Sequence, residues 1–239
     1  KRRDHTTYVA MIDWDRYDLS YLPQCDGKSL DAIRVVFPHG KHKEGIAVGK
    51  EIAKKGYQVY FQAANTLAYS EEDLIDLARE MNQVHPVAVS VVDTFGAMYQ
   101  EDLERIVQVL DCELDAGIKL GFHSHNNQQL SFALTMHFVE LLKDSKRGCI
   151  VDSSLCGMGR GAGNATTELV ANCKQHGDYD MNQIMDAIDM YMQYFQENYT
   201  WGYSTPYFIA GMYCCHVNNI AYLLKNHRTN ALDMRNIIE

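Results

Sequence analysis

The sequence predicts an α/β protein built on a parallel sheet. Short apolar, β-branched runs recur along the chain, amphipathic helical segments separate them, and a polar residue closes each run. The runs are Tyr8–Ile12, Ala32–Phe37, Gln58–Ala63, Pro86–Val92, Ile118–Phe122 and Cys149–Val151. Strands alternating with helices imply parallel pairing, because each return to the same sheet edge needs a crossover. The spacing of the runs approaches the roughly 31 residues per unit of a (β/α)8 barrel of about 250 residues.

The elements follow in order. Tyr8–Ile12 ends at Asp13, and Ala32–Phe37 ends near His39. The helix after it closes at Lys54-Lys55-Gly56, with cations in its last turn and a glycine able to adopt a left-handed cap. Gln58–Ala63 runs out at Asn65. Ser70 with Asp73 then starts a helix whose apolar face is Leu74, Leu77, Ala78 and Met81. Pro86–Val92 ends at Asp93, and the next helix shows Leu103, Ile106, Val107 and Leu110 on one face. Ile118, Leu120 and Phe122 alternate into His123 and His125, and Cys149–Val151 ends at Asp152.

An open, doubly wound nucleotide-binding sheet favours a glycine-rich turn after its first strand, whereas here the glycine cluster sits late, at Gly157–Gly163. Polar groups converging from successive strand ends describe the mouth of a barrel instead. The expected fold is therefore a (β/α)8 TIM barrel. Residues 1–165 supply its later βα units, and residues 166–239 form mainly helices that complete and extend it. About six strands are visible where closure needs eight. The chain is accordingly expected to lack the first two βα units, roughly 50–60 residues, and to be inactive as it stands. The Lys1-Arg2-Arg3-Asp4 start, without a helix-entry signal, reads as mid-loop.

The chain has 239 residues, 46% hydrophobic and 22% charged, enough for one sizeable core. With net charge −9 and no basic stripe, nucleic acid is not an expected partner. No apolar run reaches the length of a membrane span, so no membrane is expected either. Seven cysteines without C-x-x-C spacing suit buried free thiols in a reducing cytoplasm.

Residues i and i+2 of a strand project from one face, so His123 and His125 aim into one space. A metal ion is the simplest occupant wanting both. A lone His-x-His is equally the mark of two hydrated polar residues at a wet strand end. Asp93-Thr94 likewise reads either as a functional turn or as one satisfying its own backbone. The glycine run either lets backbone approach a ligand or take positive φ, or is simply a flexible loop.

Three motifs on consecutive strand ends add a resemblance. The stretches Val92-Asp93-Thr94-Phe95-Gly96-Ala97-Met98, His123-Ser124-His125-Asn126 and Val151–Glu168 resemble, in order and spacing, the metal-dependent aldolase and acyl-lyase barrel superfamily. That group includes 4-hydroxy-2-oxovalerate aldolases, HMG-CoA lyases and isopropylmalate synthases. The resemblance covers about residues 86–168. It implies His123 and His125 as metal ligands, Asn164 as an amide-oxygen ligand, and Thr94 holding the substrate carboxylate. Asp93 would orient the turn or the metal shell. Gly211-Met212-Tyr213 resembles the aldolases' C-terminal segment, whose tyrosine orients a catalytic histidine, which implies that role for Tyr213. A mixed nitrogen and oxygen ligand set suits one divalent ion, manganese first, with magnesium or zinc as alternatives.

The implied reaction is cleavage of a 4-hydroxy-2-keto acid to pyruvate and an aldehyde, or the reverse condensation. The implied partners are those small substrates, further copies of the chain in a homo-oligomer, and an aldehyde dehydrogenase. An acyl-CoA-dependent condensing or HMG-CoA lyase-like enzyme is the alternative, and a catalytically inactive barrel serving as an interaction module is another. A biotin-dependent carboxyltransferase is disfavoured, because Gln58–Asn65 has no lysine. Two departures stand out. Asn126 occupies a position where the aldolases usually carry a further histidine, and the Met- and Tyr-rich stretch from Asp178 to Trp201 matches nothing. In the superfamily the first strand carries an Asp-Arg pair. The early candidate here, Asp15-Arg16, follows a strand that the motif order places third and is not assigned that role.

Overall fold

Six strands lie side by side in chain order, β1 (Val9–Asp13), β2 (Ala32–Pro38), β3 (Gln58–Ala64), β4 (Ala88–Asp93), β5 (Lys119–Ser124) and β6 (Cys149–Val151), in a computed structural model of the chain. The structure describes Arg3, residues 5–173 and residues 179–239. Lys1, Arg2 and Asp4 of the expected mid-loop start, and Asp178 of the Met- and Tyr-rich stretch, lie outside these residues.

Pairing is parallel from β1 to β4, with Val9 opposite Ala32, Ala32 opposite Gln58, and Tyr60 opposite Ala88. The Lys119 amide donates to the Val87 carbonyl and the Leu120 amide to the Gly148 carbonyl, which continues the ladder through β5 to β6. Strand order never reverses, so the sheet has no topological switch point of the doubly wound kind. Consecutive parallel order is the arrangement of a barrel wall.

The chain forms two compact units that interleave along the sequence. The first comprises Lys1–Val92, Glu104–Phe122 and Leu141–Ile150. It holds α1 (His42–Lys54), α2 (Glu71–Val84) and most of α3 (Gln100–Glu113). α1 closes at Lys55 with Gly56 at φ +87°, as the Lys-Lys-Gly ending predicts. Ser70 and Asp73 form a reciprocal capping box at α2, and Leu74, Leu77, Ala78 and Met81 are fully buried. Leu103, Ile106, Val107 and Leu110 are buried on α3. At the end of α3 the buried Arg147 guanidinium donates to the carbonyls of Asp111, Leu114 and Asp115 and to Asp111 Oδ1, satisfying acceptors that a helix terminus leaves orphaned.

The second unit comprises Asp93–Leu103, His123–Glu140 and Val151–Glu239. It holds α4 (Ser131–Leu141) up to Glu140, α5 (Thr167–Asn172), α6 (Met181–Ala187), α7 (Gln193–Asn198), α8 (Thr205–Met212), α9 (Val217–Lys225) and α10 (Ala231–Ile238). A π-helical segment, Ile188–Met192, joins α6 to α7. After Val151 the described residues form helices and loops with no further strand. Ile209, Ala210, Ile220, Leu223 and Met234 make a core cluster among the last helices. The seven cysteines are free, but none is buried, contrary to expectation: Cys112, Cys149 and Cys214 are exposed and the others half-buried. Cys112 lies on α3 away from its buried stripe, and Cys214 follows the end of α8, so neither faces a core.

Candidate metal centre

Asp93 ends β4 and shapes the turn after it. The Ala97 amide donates to its Oδ1 at 2.9 Å and the Gly96 amide to its carbonyl at 3.3 Å. The carboxyl group is only 2% exposed as part of its residue, and burial pushes its pKa up to about 6, against the pull of the Ala97 and Met98 amides. The Asp93 carbonyl also takes the His125 amide at 3.2 Å. Asp93 therefore organises backbone, as an Asx-type turn residue does. Thr94 follows it, partly exposed.

Period-two geometry brings the two imidazoles together: the rings of His123 and His125 lie edge to face, 5.2 Å between centroids. The two nitrogens that matter are held differently. His123 Nδ1 lies 3.1 Å from Asp152 Oδ2, from the residue that follows β6. A carboxylate on one imidazole nitrogen fixes the ring and leaves Nε2 for a ligand, the arrangement typical of metal-binding histidines. His125 Nδ1 is buried with no hydrogen-bond partner. Burial first, then the charges of His123 and Arg160, push the His125 pKa down to about 4. It is a neutral imidazole at pH 7, the form that binds metal.

Asn164 reaches the same place through the glycine-rich loop. It forms an antiparallel bridge with His125, and the Asn126 amide donates to the Gly163 carbonyl. The Asn164 side chain donates from Nδ2 to the Met158 carbonyl at 3.0 Å, leaving Oδ1 buried and unpartnered. A Cβ at Gly159 would stand 2.6 Å from Asn164 Nδ2, so a side chain at this loop position would displace the Asn164 amide. Gly157, Gly161 and Gly163 all take positive φ. The loop is pinned, not slack: Trp201 Nε1 donates to the Cys156 carbonyl and the Cys156 amide to Glu168.

An unsatisfied buried acceptor costs about 1–3 kcal/mol, and native structures hold few without a cause such as a bound ion. Here two such atoms, His125 Nδ1 and Asn164 Oδ1, belong to backbone-paired residues, with the braced His123 beside them. This donor set of imidazole and amide oxygen fits a divalent cation. Among the described residues no group of three His, Cys, Asp or Glu side chains is placed to hold a metal. The donors that fit an ion here are two histidines and an amide.

Tyr213 packs against the helical cluster of Ile209, Ala210, Ile220, Leu223 and Met234. Asp15-Arg16 follows β1, where Arg16 meets Asp13 at 3.6 Å. The sequence marks Asp152 only as a strand end and does not show it as the brace of His123. Nor does it single out Asn127, which is fully buried and donates from Nδ2 to the Tyr207 carbonyl at 2.7 Å. Gly211 approaches Asn127 so closely that a Cβ would sit 2.9 Å from Asn127 Cβ and 3.3 Å from the Gly96 carbonyl. That close approach is a reason for the glycine of Gly211-Met212-Tyr213.

The HMGL-like family model matches residues 41–191. An oxaloacetate decarboxylase of Mycobacterium tuberculosis is 30% identical over 165 residues, 67% of this chain and 47% of that protein. A 4-hydroxy-2-oxovalerate aldolase of Thermomicrobium roseum is 40% identical over 122 residues, 49% of this chain and 32% of that protein. The chain thus spans less than half the length of these curated relatives. Among solved structures, the N-terminal domain of a candidate aldolase from Bacteroides vulgatus aligns over 92% of this chain and 73% of its own, with TM-score 0.78 and 21% identity. The HMG-CoA lyase of Bacillus subtilis aligns over 82% of this chain and 72% of its own, with TM-score 0.63 and 16% identity. These likenesses show the fold, an α/β sheet of the TIM-barrel kind. Members of the matched family are generally dependent on a divalent metal. The sheet order, the paired histidines and the match over residues 41–191 together make this chain a member of the HMGL-like family.

Proposed function

We propose that the protein of which this chain is part is a divalent-metal-dependent lyase that cleaves a 4-hydroxy-2-keto acid to pyruvate and an aldehyde. The observation that carries this reading is the pair of buried, unpartnered atoms His125 Nδ1 and Asn164 Oδ1 beside the braced His123. His123, His125 and Asn164 would hold the ion, manganese in the first instance. When bound, the ion supplies Lewis-acid polarisation of the 2-keto group, worth several kcal/mol as charge develops.

The chain's own residues set the geometry. Asp152 holds the His123 ring, and Asp93 holds the turn that presents Thr94 to the substrate carboxylate. Asp93 acts through backbone and is a positioning residue. Tyr213, which packs against the helical cluster, would by the family resemblance orient the catalytic histidine. The proposed division is a barrel part, residues 1–165, that carries the metal site, and a helical part, residues 166–239, that completes and extends it. The homo-oligomer and the aldehyde dehydrogenase partner rest on resemblance alone, and the cytoplasmic setting rests on cysteine usage. No helix among the described residues is long and apolar enough to cross a membrane.

The test is pyruvate release, coupled to lactate dehydrogenase, by the full protein with Mn2+ over 4-hydroxy-2-keto acids of increasing length. Oxaloacetate belongs in the screen, because the relative matched over 165 residues is named for its decarboxylation. Metal-dependent pyruvate from a 4-hydroxy-2-keto acid supports the reading. Pyruvate from oxaloacetate alone replaces it with a decarboxylase. Thiol release from acetyl-CoA and a 2-keto acid replaces it with a condensing enzyme. No turnover of any of these leaves the inactive barrel.

A further inference from the structure

The segment after α8 brings a third imidazole to the metal centre. His216 precedes α9, and its ring lies edge-on to Phe95, one residue past Thr94, with centroids 6.4 Å apart. The Arg160 charge bears on both His125 and His216. All of these residues belong to the second unit. His216 nevertheless forms no metal-binding group with the other two histidines. It stands near the centre without being part of its ligand set.

What His216 can do there is fixed by how it is held. Its side chain caps α9: Nδ1 accepts the Asn218 amide at 3.1 Å. A nitrogen that accepts a backbone N–H carries no proton of its own, so the neutral ring must hold its hydrogen on Nε2. Protonating Nδ1 would set two N–H groups against each other and place a cation at the positive end of the helix. Burial and the Arg160 charge act in the same direction, lowering the pKa of His216. The ring is thus locked as a neutral donor. A neutral imidazole whose basicity is suppressed by a helix N-terminus is a known way to polarise a substrate oxygen, as the triosephosphate isomerase histidine does.

We propose that His216 is a catalytic hydrogen-bond donor whose Nε2–H stabilises the substrate oxygen on which negative charge grows as the C3–C4 bond breaks. No proton is transferred: the hydrogen stays on Nε2, and the reaction's base is another group. The role rests on the lyase reading above for the identity of the substrate, but the locked tautomer and the recognition of a keto-acid-like anion do not.

The experiment uses the full protein with 15N-labelled histidine and two variants. Asparagine reproduces the Nδ1 acceptor and caps helices well, so His216→Asn keeps the cap and loses the donor. His216→Gln keeps a donor at the Nε2 position and loses the cap. Nitrogen shifts at pH 7 should show His216 with bare Nδ1 and protonated Nε2. His216→Asn should bind Mn2+ with unchanged stoichiometry, bind oxalate in the presence of Mn2+ about 10-fold more weakly, and lose about 10²–10³ in kcat, with His216→Gln recovering part of both. An Nδ1–H tautomer, a doubly protonated ring, or wild-type oxalate affinity in His216→Asn would overturn the proposal. Loss of Mn2+ from His216→Asn would also overturn it, by making His216 a ligand. Absence of pyruvate from the wild type would refute the proposed reaction alone, and the tautomer and oxalate measurements would still decide the role of His216.

Discussion

Asp152 Oδ2 stands 3.1 Å from His123 Nδ1, joining residues 29 positions apart at the ends of neighbouring strands. The side chains are 15% and 26% exposed, so the contact is shielded enough to fix the ring. Outer-shell partners of this kind commonly cost 10–100-fold in metal affinity when removed. Asp152→Ala should weaken Mn2+ binding by that factor, measured by titration calorimetry, while the circular dichroism spectrum stays unchanged. Wild-type affinity in the variant would show that Asp152 does not serve the metal.

His123→Ala and His125→Ala should each abolish tight Mn2+ uptake, taking the stoichiometry from one to zero by equilibrium dialysis. Neither belongs to the fully buried hydrophobic core, so far-ultraviolet circular dichroism should be preserved. Retention of one equivalent of metal by both variants would remove the site from the His-x-His pair.

Gly211→Ala should destabilise through steric contact alone. The added methyl would meet Asn127 Cβ at 2.9 Å and the Gly96 carbonyl at 3.3 Å, and neither is the end of a flexible side chain. Overpacking of this type costs about 1–3 kcal/mol, or roughly 2–4 °C of Tm per kcal/mol in a chain of this size. Differential scanning calorimetry measures it. A Tm equal to wild type would mean that the Asn127 segment gives way freely.

The α2 capping box should carry a pH signature. Hydrogen bonds from Ser70, with a smaller contribution from His39, pull the Asp73 pKa from 3.8 down to about 2. A depressed carboxylate pKa means stability that is fully present above the unfolded value near 4 and is lost as pH falls toward 2. The side chain is 42% exposed, so solvent screening holds the contribution to about 0.5–1 kcal/mol. Asp73→Asn should therefore be less stable than wild type by that amount at pH 7, in urea unfolding, with the gap closing between pH 4 and pH 2. A pH-independent gap would place the effect in helix propensity instead.

What could be read from sequence alone was local in origin. The strands, the Ser70–Asp73 box and the buried stripes of α2 and α3 follow from periods of 2 and 3.6 and from contacts three or four residues apart. The meeting of His123 and His125 was legible for the same reason, since one pleat puts both side chains on one face. Sequential strand order followed from the alternation of helix and strand, because short right-handed crossovers place each strand beside the last. Tertiary structure decided everything that depends on partners distant in sequence. Only the fold sets Asp152 on His123, leaves Asn164 Oδ1 buried and unpartnered, and packs Gly211 on Asn127. The segment after α8 shows the difference most plainly. Its motif points to Tyr213, which packs against the apolar cluster, and only the fold shows that His216 lies beside Phe95. A tyrosine's apolar body is satisfied by any helical cluster, whereas the tautomer of a histidine is set by whatever donor its ring nitrogen meets, here the Asn218 amide, which no pattern in the chain records.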